Sequence, residues 1–226
     1  MAQNPSTVDL ALVLAVDCSG SVDAGEFALQ LGGIAAAFRD PDIIAAIKSG
    51  PNRKIAVNMM LWADPDEQKL TSGWYQISDA QGSFAFALAA EEFNIRIGGG
   101  TGLGIAVAYG INILKIAPFQ SLRKVIDVSG DGRESWELRE PRFRLPQAKV
   151  LRMKSQVIVN GLTISNNDPD LPAYYRDNVI GGSGSFVIEA KSYATFADAM
   201  KVKLLREILP NMARLRLPQR QSVAMK

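Results

Sequence analysis

Histidine is absent from the sequence. That absence removes a Ser-His-Asp triad, a Cys-His pair and any zinc site built on imidazole. Cysteine occurs once, as Cys18, so no internal disulfide forms. A chain of 226 residues is long enough to hold a fold without one in either a reducing or an oxidising compartment. No apolar run approaches the about 18 residues of a membrane span, and no charged segment followed by an apolar one marks a signal peptide at the start. An excess of one charge is also missing, with 25 Lys and Arg against 23 Asp and Glu. So even a balance argues against nucleic acid or an anionic membrane as the main partner.

What is present fits one soluble globular domain, because 47% of the residues are hydrophobic and 21% charged. The expected organisation is a lead over residues 1–7, a single domain over 8–209 and a basic tail over 210–226. The tail carries Arg214, Arg216, Arg220 and Lys226 and no acid; it reads as a solvated terminus, the alternative being a docking segment for an acidic partner. The chain opens abruptly on Met1-Ala2-Gln3-Asn4-Pro5. A periplasmic or secreted location follows if that is a trimmed export product with an added Met, and a cytoplasmic one otherwise.

Residues 10–16 are continuously apolar and, with Val8, read as a strand covered on both faces, as at the centre of a parallel sheet. Asp23 and Glu26 have the spacing of a capping box opening a helix over 24–38. A short helix over 42–48 and a strand over 54–62 follow. The acidic run Asp64-Pro65-Asp66-Glu67 reads as a solvated hairpin turn into an antiparallel edge strand over 70–77, with Gly73 marking a bulge. A helix over 83–92 and the loop Gly98-Gly99-Gly100-Thr101-Gly102 lead into an apolar helix over 103–116. The next strand, 124–129, stops at Gly130-Asp131-Gly132. A charged irregular loop over 133–144 precedes a helix over 146–154, a strand over 156–164, a short helix holding Tyr174 and Tyr175, a strand over 186–190 and a helix over 193–209. Strands alternating with helices over the whole length predict a doubly wound α/β sheet.

In such a sheet ligands bind beyond the carboxyl ends of the strands. Asp17, Ser19 and Ser21 stand at the end of the first strand, Asp131 at the end of 124–129, and Thr101 in the loop before the helix that feeds that strand. If the two strands are neighbours, five oxygen-bearing side chains converge. Two carboxylates and three hydroxyls suit a hard divalent cation such as Mg²⁺, which keeps several waters and takes few protein groups.

Asp-x-Ser-x-Ser at 17–21, Gly-Gly-Thr at 99–101 entering a helix, and Gly-Asp-Gly at 130–132 after a strand together resemble the von Willebrand factor A domain with its metal-ion-dependent adhesion site. The resemblance spans about residues 8–209 and implies a Rossmann-like fold with one antiparallel edge strand and a bound Mg²⁺ or Mn²⁺. It also implies that Ser19, Ser21 and Thr101 approach the metal most directly, with Asp17 and Asp131 close to it or acting through water. The stretches Val-Ile-Asp-Val-Ser-Gly-Asp-Gly (125–132), Tyr-Tyr-Arg (174–176) and Val-Ile-Gly-Gly (179–182) are similar to an uncharacterised, often exported bacterial subgroup. Many members of the wider family have Thr-Asp-Gly where this chain has Gly130-Asp131-Gly132, so a hydroxyl is missing there. Asp127 is the rival carboxylate, and its place inside the strand favours Asp131.

The expected function is a non-enzymatic, metal-dependent protein-interaction module that accepts an Asp or Glu side chain from a partner protein. Trp136, Arg139, Asn166 and Asn167 form the expected rim, the alternative for Trp136 being that it folds back on the domain. A metal-dependent hydrolase of phosphatase or esterase type is the rival reading, although Asp17 and Asp131, the available bases, are already used by the cation. The glycine loop matches neither Gly-x-Gly-x-x-Gly nor a P-loop, which argues against a nucleotide. Cys18, at an x position of the first motif, is expected to be buried and inert. The turn Gly181 to Ser185 is expected at the opposite edge of the sheet.

Overall fold

A computed structural model of the chain describes residues 6–137, 140, 141 and 143–209. Most of the expected lead, the basic tail and Arg139 lie outside the described residues. The strands in chain order are β1 (Thr7–Val8), β2 (Leu10–Asp17), β3 (Ile55–Trp62), β4 (Leu70–Thr71), β5 (Tyr75–Ile77), β6 (Gln120–Ser121), β7 (Lys124–Gly130), β8 (Ile158–Ile164) and β9 (Val187–Ala190). The helices are α1 (Ala24–Arg39), α2 (Pro41–Ser49), α3 (Ala80–Glu92), α4 (Leu103–Lys115), α5 (Leu145–Ser155), α6 (Leu171–Asn178) and α7 (Phe196–Ile208), with a 3-10 turn at Tyr193–Thr195 before the last.

Seven strands make the main sheet, in the order β4-β3-β2-β7-β8-β9, with β5 also on β3. All the pairings from β3 to β9 are parallel, and β4 and β5 run antiparallel to β3. This is the doubly wound architecture with one antiparallel edge. β2 lies at its centre because an unbroken apolar run can be buried on both sides. Leu12, Leu14 and Val16 pack with α1, α2, α3 and α7 on one face. Ala11, Val13 and Ala15 pack with α4, α5 and α6 on the other.

Local chemistry sets the helix starts. Asp23 accepts from Glu26 N at 2.8 Å, and Glu26 accepts from Asp23 N at 2.9 Å, closing the expected capping box. Asp79, not named from sequence, caps α3 by accepting from Gly82 N at 2.9 Å.

Three expectations shift. Val8 leaves the central strand and pairs in a small parallel sheet with β6. The edge strand expected over 70–77 is two pieces, because Gly73 adopts φ +76, and Ser72 exchanges two 2.9 Å bonds with Met59 through its N–H and its hydroxyl. Gln156 is left-handed at φ 54 and ends α5, so β8 begins only at Ile158.

Glu134 joins the first turns of two helices. Its carboxylate accepts from Gly104 N at 2.8 Å at the start of α4 and from Leu145 N at 3.2 Å at the start of α5. One anion thus meets two helix N-termini with unsatisfied N–H groups. Glu134→Ala is expected to lower the unfolding free energy by about 1–2 kcal/mol, read by urea denaturation, and Glu134→Gln by less. Equal losses for the two variants would mean that the charge at this junction contributes nothing.

Candidate metal centre

β2 and β7 are parallel neighbours, with Val16 opposite Ser129, so Asp17 and Asp131 leave the sheet side by side. The chain goes from β2 by way of α1 and α2 to β3 on one side, and β7 lies on the other. The carboxyl ends of β2 and β7 therefore flank the point where strand order reverses, the usual crevice of an open α/β sheet.

Asp17 is fully buried. Its Oδ1 accepts from Ser19 N at 2.8 Å, a tight turn that a short carboxylate favours. That turn brings the Ser19 and Ser21 hydroxyls to 3.2 Å from each other, and Ser21 donates to Asp131 Oδ1 at 2.8 Å. Asp17, Ser19, Ser21 and Asp131 thus form one connected chain. Thr101 stands beside it: a Cβ built on Gly132 would come 3.3 Å from Thr101 Oγ1. Four of the five residues expected to converge are thus joined by hydrogen bonds, and Thr101 lies against Gly132 next to Asp131.

The glycine loop fits among three other segments. Gly20 N donates to Gly99 O at 2.7 Å and Gly98 N to Cys18 O at 3.0 Å, tying it to the first motif. Thr101 N donates to Ser135 Oγ at 3.1 Å, and Ser135 N to Thr101 O at 3.0 Å, tying it to the 133–137 segment. Gly99 has φ +85, and a Cβ on Gly100 would lie 2.8 Å from both Asp64 Oδ2 and the Trp136 Cα. Only glycine allows so close a backbone approach.

Asp64 corrects one sequence expectation. Its sequence surroundings read as a solvated turn, but it is buried. Its carboxylate accepts from Asp66 N at 3.0 Å, Gly100 N at 3.1 Å and Glu137 N at 3.2 Å, so it braces the glycine loop and the 133–137 segment together. Burial opposes its ionisation, but these backbone donors and Lys69 outweigh it and hold its carboxyl below the usual range. Lys69 gives three bonds to carbonyls of the same turn, at Asp64, Pro65 and Glu67.

The floor of the crevice carries unsatisfied polar atoms. Among the described residues, Asp17 Oδ2 and the Tyr175 hydroxyl are buried without a hydrogen-bond partner, and the Tyr193 hydroxyl faces Asp131. Burial, with the Asp131 charge added, pushes the Asp17 carboxyl up to about 7. Burial and the charges of Asp17 and Asp131 also push both tyrosine hydroxyls up, so both stay protonated donors. Sequence reasoning did not find either tyrosine as part of the site. No motif marks them, since one lies on α6 and the other in the turn after β9, far along the chain.

The other singled-out residues fall as follows. Trp136 is 36% exposed, its ring under the Arg144 guanidinium at 5.8 Å. It borders the glycine loop and is half folded back. Asn166 and Asn167 are exposed beyond the end of β8. Arg133 pairs with Asp168 at 2.7 Å and so links the two rim loops. Cys18 is buried, its thiol donates to Trp62 O at 3.4 Å, and burial pushes it up to about 11, which makes it a poor nucleophile. Asp127 lies inside β7 and pairs at 2.6 Å with a buried Lys203, so its charge is already answered. The turn at 181–185 contacts β8 through Val159 and Gly181.

Among the described residues, no three His, Cys, Asp or Glu side chains are grouped as a metal set. The donors here are mostly hydroxyls. No helix among the described residues is long and apolar enough to cross a membrane.

Similar backbones occur in proteins of low sequence identity, which bears on the fold alone. The pilus adhesin SpaC from Lactobacillus rhamnosus GG, in an open conformation, matches with TM-score 0.60 at 14% identity over 92% of this chain and 31% of that one. Proximal thread matrix protein 1 from the mussel byssus, in a structure with a zinc-occupied MIDAS motif, matches with TM-score 0.60 at 16% identity over 87% of this chain and 46% of that one. The minor pilin PilB from Streptococcus sanguinis, as a D319A mutant, matches with TM-score 0.56 at 14% identity over 93% and 64%. The chain therefore spans about a third of the adhesin and under half of the matrix protein. No curated protein matches it. The fold is of the von Willebrand factor A type. The family described as "Protein of unknown function (DUF1194)" matches residues 7–212, which takes in the whole sheet and every loop that meets at the crevice, and the chain belongs to that family.

Proposed function

We propose that the chain is a non-enzymatic protein-interaction module that binds a divalent cation between β2 and β7 and, through it, an acidic side chain of a partner protein. The observation that carries this reading is Asp17 Oδ2, a buried carboxylate oxygen with no hydrogen-bond partner among the described residues. It stands in a crevice where Asp17, Asp131 and three hydroxyls meet. An unanswered buried charge is costly, and a cation answers it. The donor set fits: Asp17 and Asp131 balance a double positive charge, and Ser19, Ser21 and Thr101 supply neutral oxygens of the kind hard cations take. Mg²⁺ or Mn²⁺ is the preferred ion on that chemistry, although the mussel protein's motif holds zinc.

Bound, the cation would supply an electrophilic point that attracts a carboxylate. The protein's own residues do the rest. Asp64 and the glycines fix the loop that carries Thr101. Trp136, Asn166 and Asn167 would rim the crevice where a partner docks, and an aromatic beside a charged contact is a usual interface anchor. The adhesin, matrix and pilin neighbours are in keeping with such a role, as is an exported location.

The test is calorimetric titration of chelator-treated protein with Mg²⁺, Mn²⁺ and Zn²⁺, beside Asp17→Ala and Ser19→Ala. One saturable site in the parent is expected, lost in Asp17→Ala and weakened about tenfold or more in Ser19→Ala. Cation-dependent capture of an acidic partner should follow, weakened by Trp136→Ala. Unchanged binding in both site variants would reject this location. Phosphatase or esterase turnover by the cation-loaded parent would reject a non-enzymatic role.

A further inference from the structure

Gly130 closes β7 with its backbone between two unsatisfied oxygens. A Cβ built on it would lie 2.7 Å from Asp17 Oδ2 and 2.8 Å from the Tyr175 hydroxyl. Both oxygens are buried and both lack a hydrogen-bond partner. One is an acceptor with a free lone pair, and the other is a donor with a free proton. They come from β2 and from α6, which packs on β8, two strands along the sheet from β2.

We infer that Tyr175 is a positioning residue of the metal centre: its hydroxyl, not bonded to Asp17 Oδ2 in this structure, is the donor placed across the gap over Gly130 to hold that oxygen, and so the carboxylate, when the cation is bound. This rests on the function proposed above. Glycine at 130 is then a requirement of the site, since any side chain there would fill the gap that lets the two groups meet. The tyrosine ring is held rigidly. It lies fully buried in the core on that face of the sheet, and a Cβ on Gly161 would come 2.8 Å from its Cδ1. A side chain held this way aims its hydroxyl at one point, as supports of metal ligands commonly do.

Tyr175→Phe removes only the hydroxyl. If that group were merely a core feature, losing an unsatisfied buried hydroxyl would leave the metal-free protein as stable or more so, and cation affinity would not move. The experiment measures Mn²⁺ affinity by calorimetry, and the metal-free urea midpoint, for the parent, Tyr175→Phe, Gly130→Ala and the double variant. The expected result is an affinity about tenfold weaker in Tyr175→Phe with a metal-free midpoint equal to or above the parent's. The destabilisation by Gly130→Ala should shrink in the phenylalanine background, because the methyl then meets no hydroxyl. Parent-like Mn²⁺ affinity in Tyr175→Phe overturns the inference and leaves the metal reading standing. A parent that binds no Mn²⁺ overturns both.

Discussion

Lys203→Met is expected to lower the unfolding free energy by about 3–5 kcal/mol, one of the largest single-residue losses in the chain. Lys203 lies on α7 with no exposure, and its Nζ is 2.6 Å from Asp127 Oδ1 and 2.6 Å from Glu207 Oε1. Asn160 donates to the same Glu207 oxygen at 2.9 Å. Among the described residues, Asp127 Oδ2 and Glu207 Oε2 have no hydrogen-bond partner, so the ammonium is what holds two buried acids in place. Removing it leaves both facing apolar surroundings, and desolvation of an uncompensated charge exceeds anything the methionine regains by packing.

The loss should depend on pH. Even with Lys203 present, burial pushes the Asp127 carboxyl up to about 7, with Lys203 opposing the rise. A carboxyl raised in the folded state contributes stability at low pH and loses it as pH rises through the folded value. The variant should therefore be nearest the parent at about pH 5 and furthest from it at about pH 8. Denaturation in guanidinium at the two values reads this, and Lys203→Met with Asp127→Asn should recover part of the loss. A deficit under about 1 kcal/mol at pH 8 would show that the cluster is not what holds α7 to β7.

Asp17→Asn is expected to move stability and binding in opposite directions. In the cation-free protein the Asp17 carboxyl, raised by burial and by Asp131 from 3.8 to about 7, must ionise unpaired above neutral pH. The folded chain then holds that proton more tightly than the unfolded chain. Its contribution is intact below about pH 4 and is lost progressively by about pH 7, at a cost of at most about 4 kcal/mol. Asparagine removes the charge, and its carbonyl can still accept from Ser19 N. Without cation at pH 8 the variant should unfold at higher denaturant than the parent, the gain vanishing towards pH 4. With cation the order should reverse, because only the parent gains binding energy. A cation-free variant less stable than the parent at pH 8 would show that the Asp17 charge already has a partner inside the protein.

These two residues differ in how well the sequence announces them. Asp17 follows seven positions of unmistakable strand and opens a turn of short polar side chains, so its place at a sheet edge and its chemistry are both local. Lys203 looks like any surface lysine of an amphipathic helix. Its helical position turns it inward, but only the approach of β7 puts Asp127 there to meet it. Asp64 is the same case in reverse. Surrounded by Pro65, Asp66 and Glu67, it has the composition of a solvated turn, yet the glycine loop folds over it and offers backbone N–H groups that no sequence window contains. Tyr175 and Tyr193 reach the crevice from residues more than forty positions beyond Asp131, which no spacing rule connects.

The sequence by itself determined the order of strands and helices, the central place of β2, the antiparallel edge and which polar residues stand at the ends of β2 and β7. Each depends on periodicity, capping or motif within a few residues, where backbone sterics and burial act locally. Tertiary structure alone decided which buried charges are answered and which are not: Lys203 for Asp127, backbone amides for Asp64, and no ion pair among the described residues for Asp17. That difference arises because desolvation and hydrogen-bond satisfaction depend on what surrounds a group in space, and those surroundings come from elements brought together only when the sheet closes.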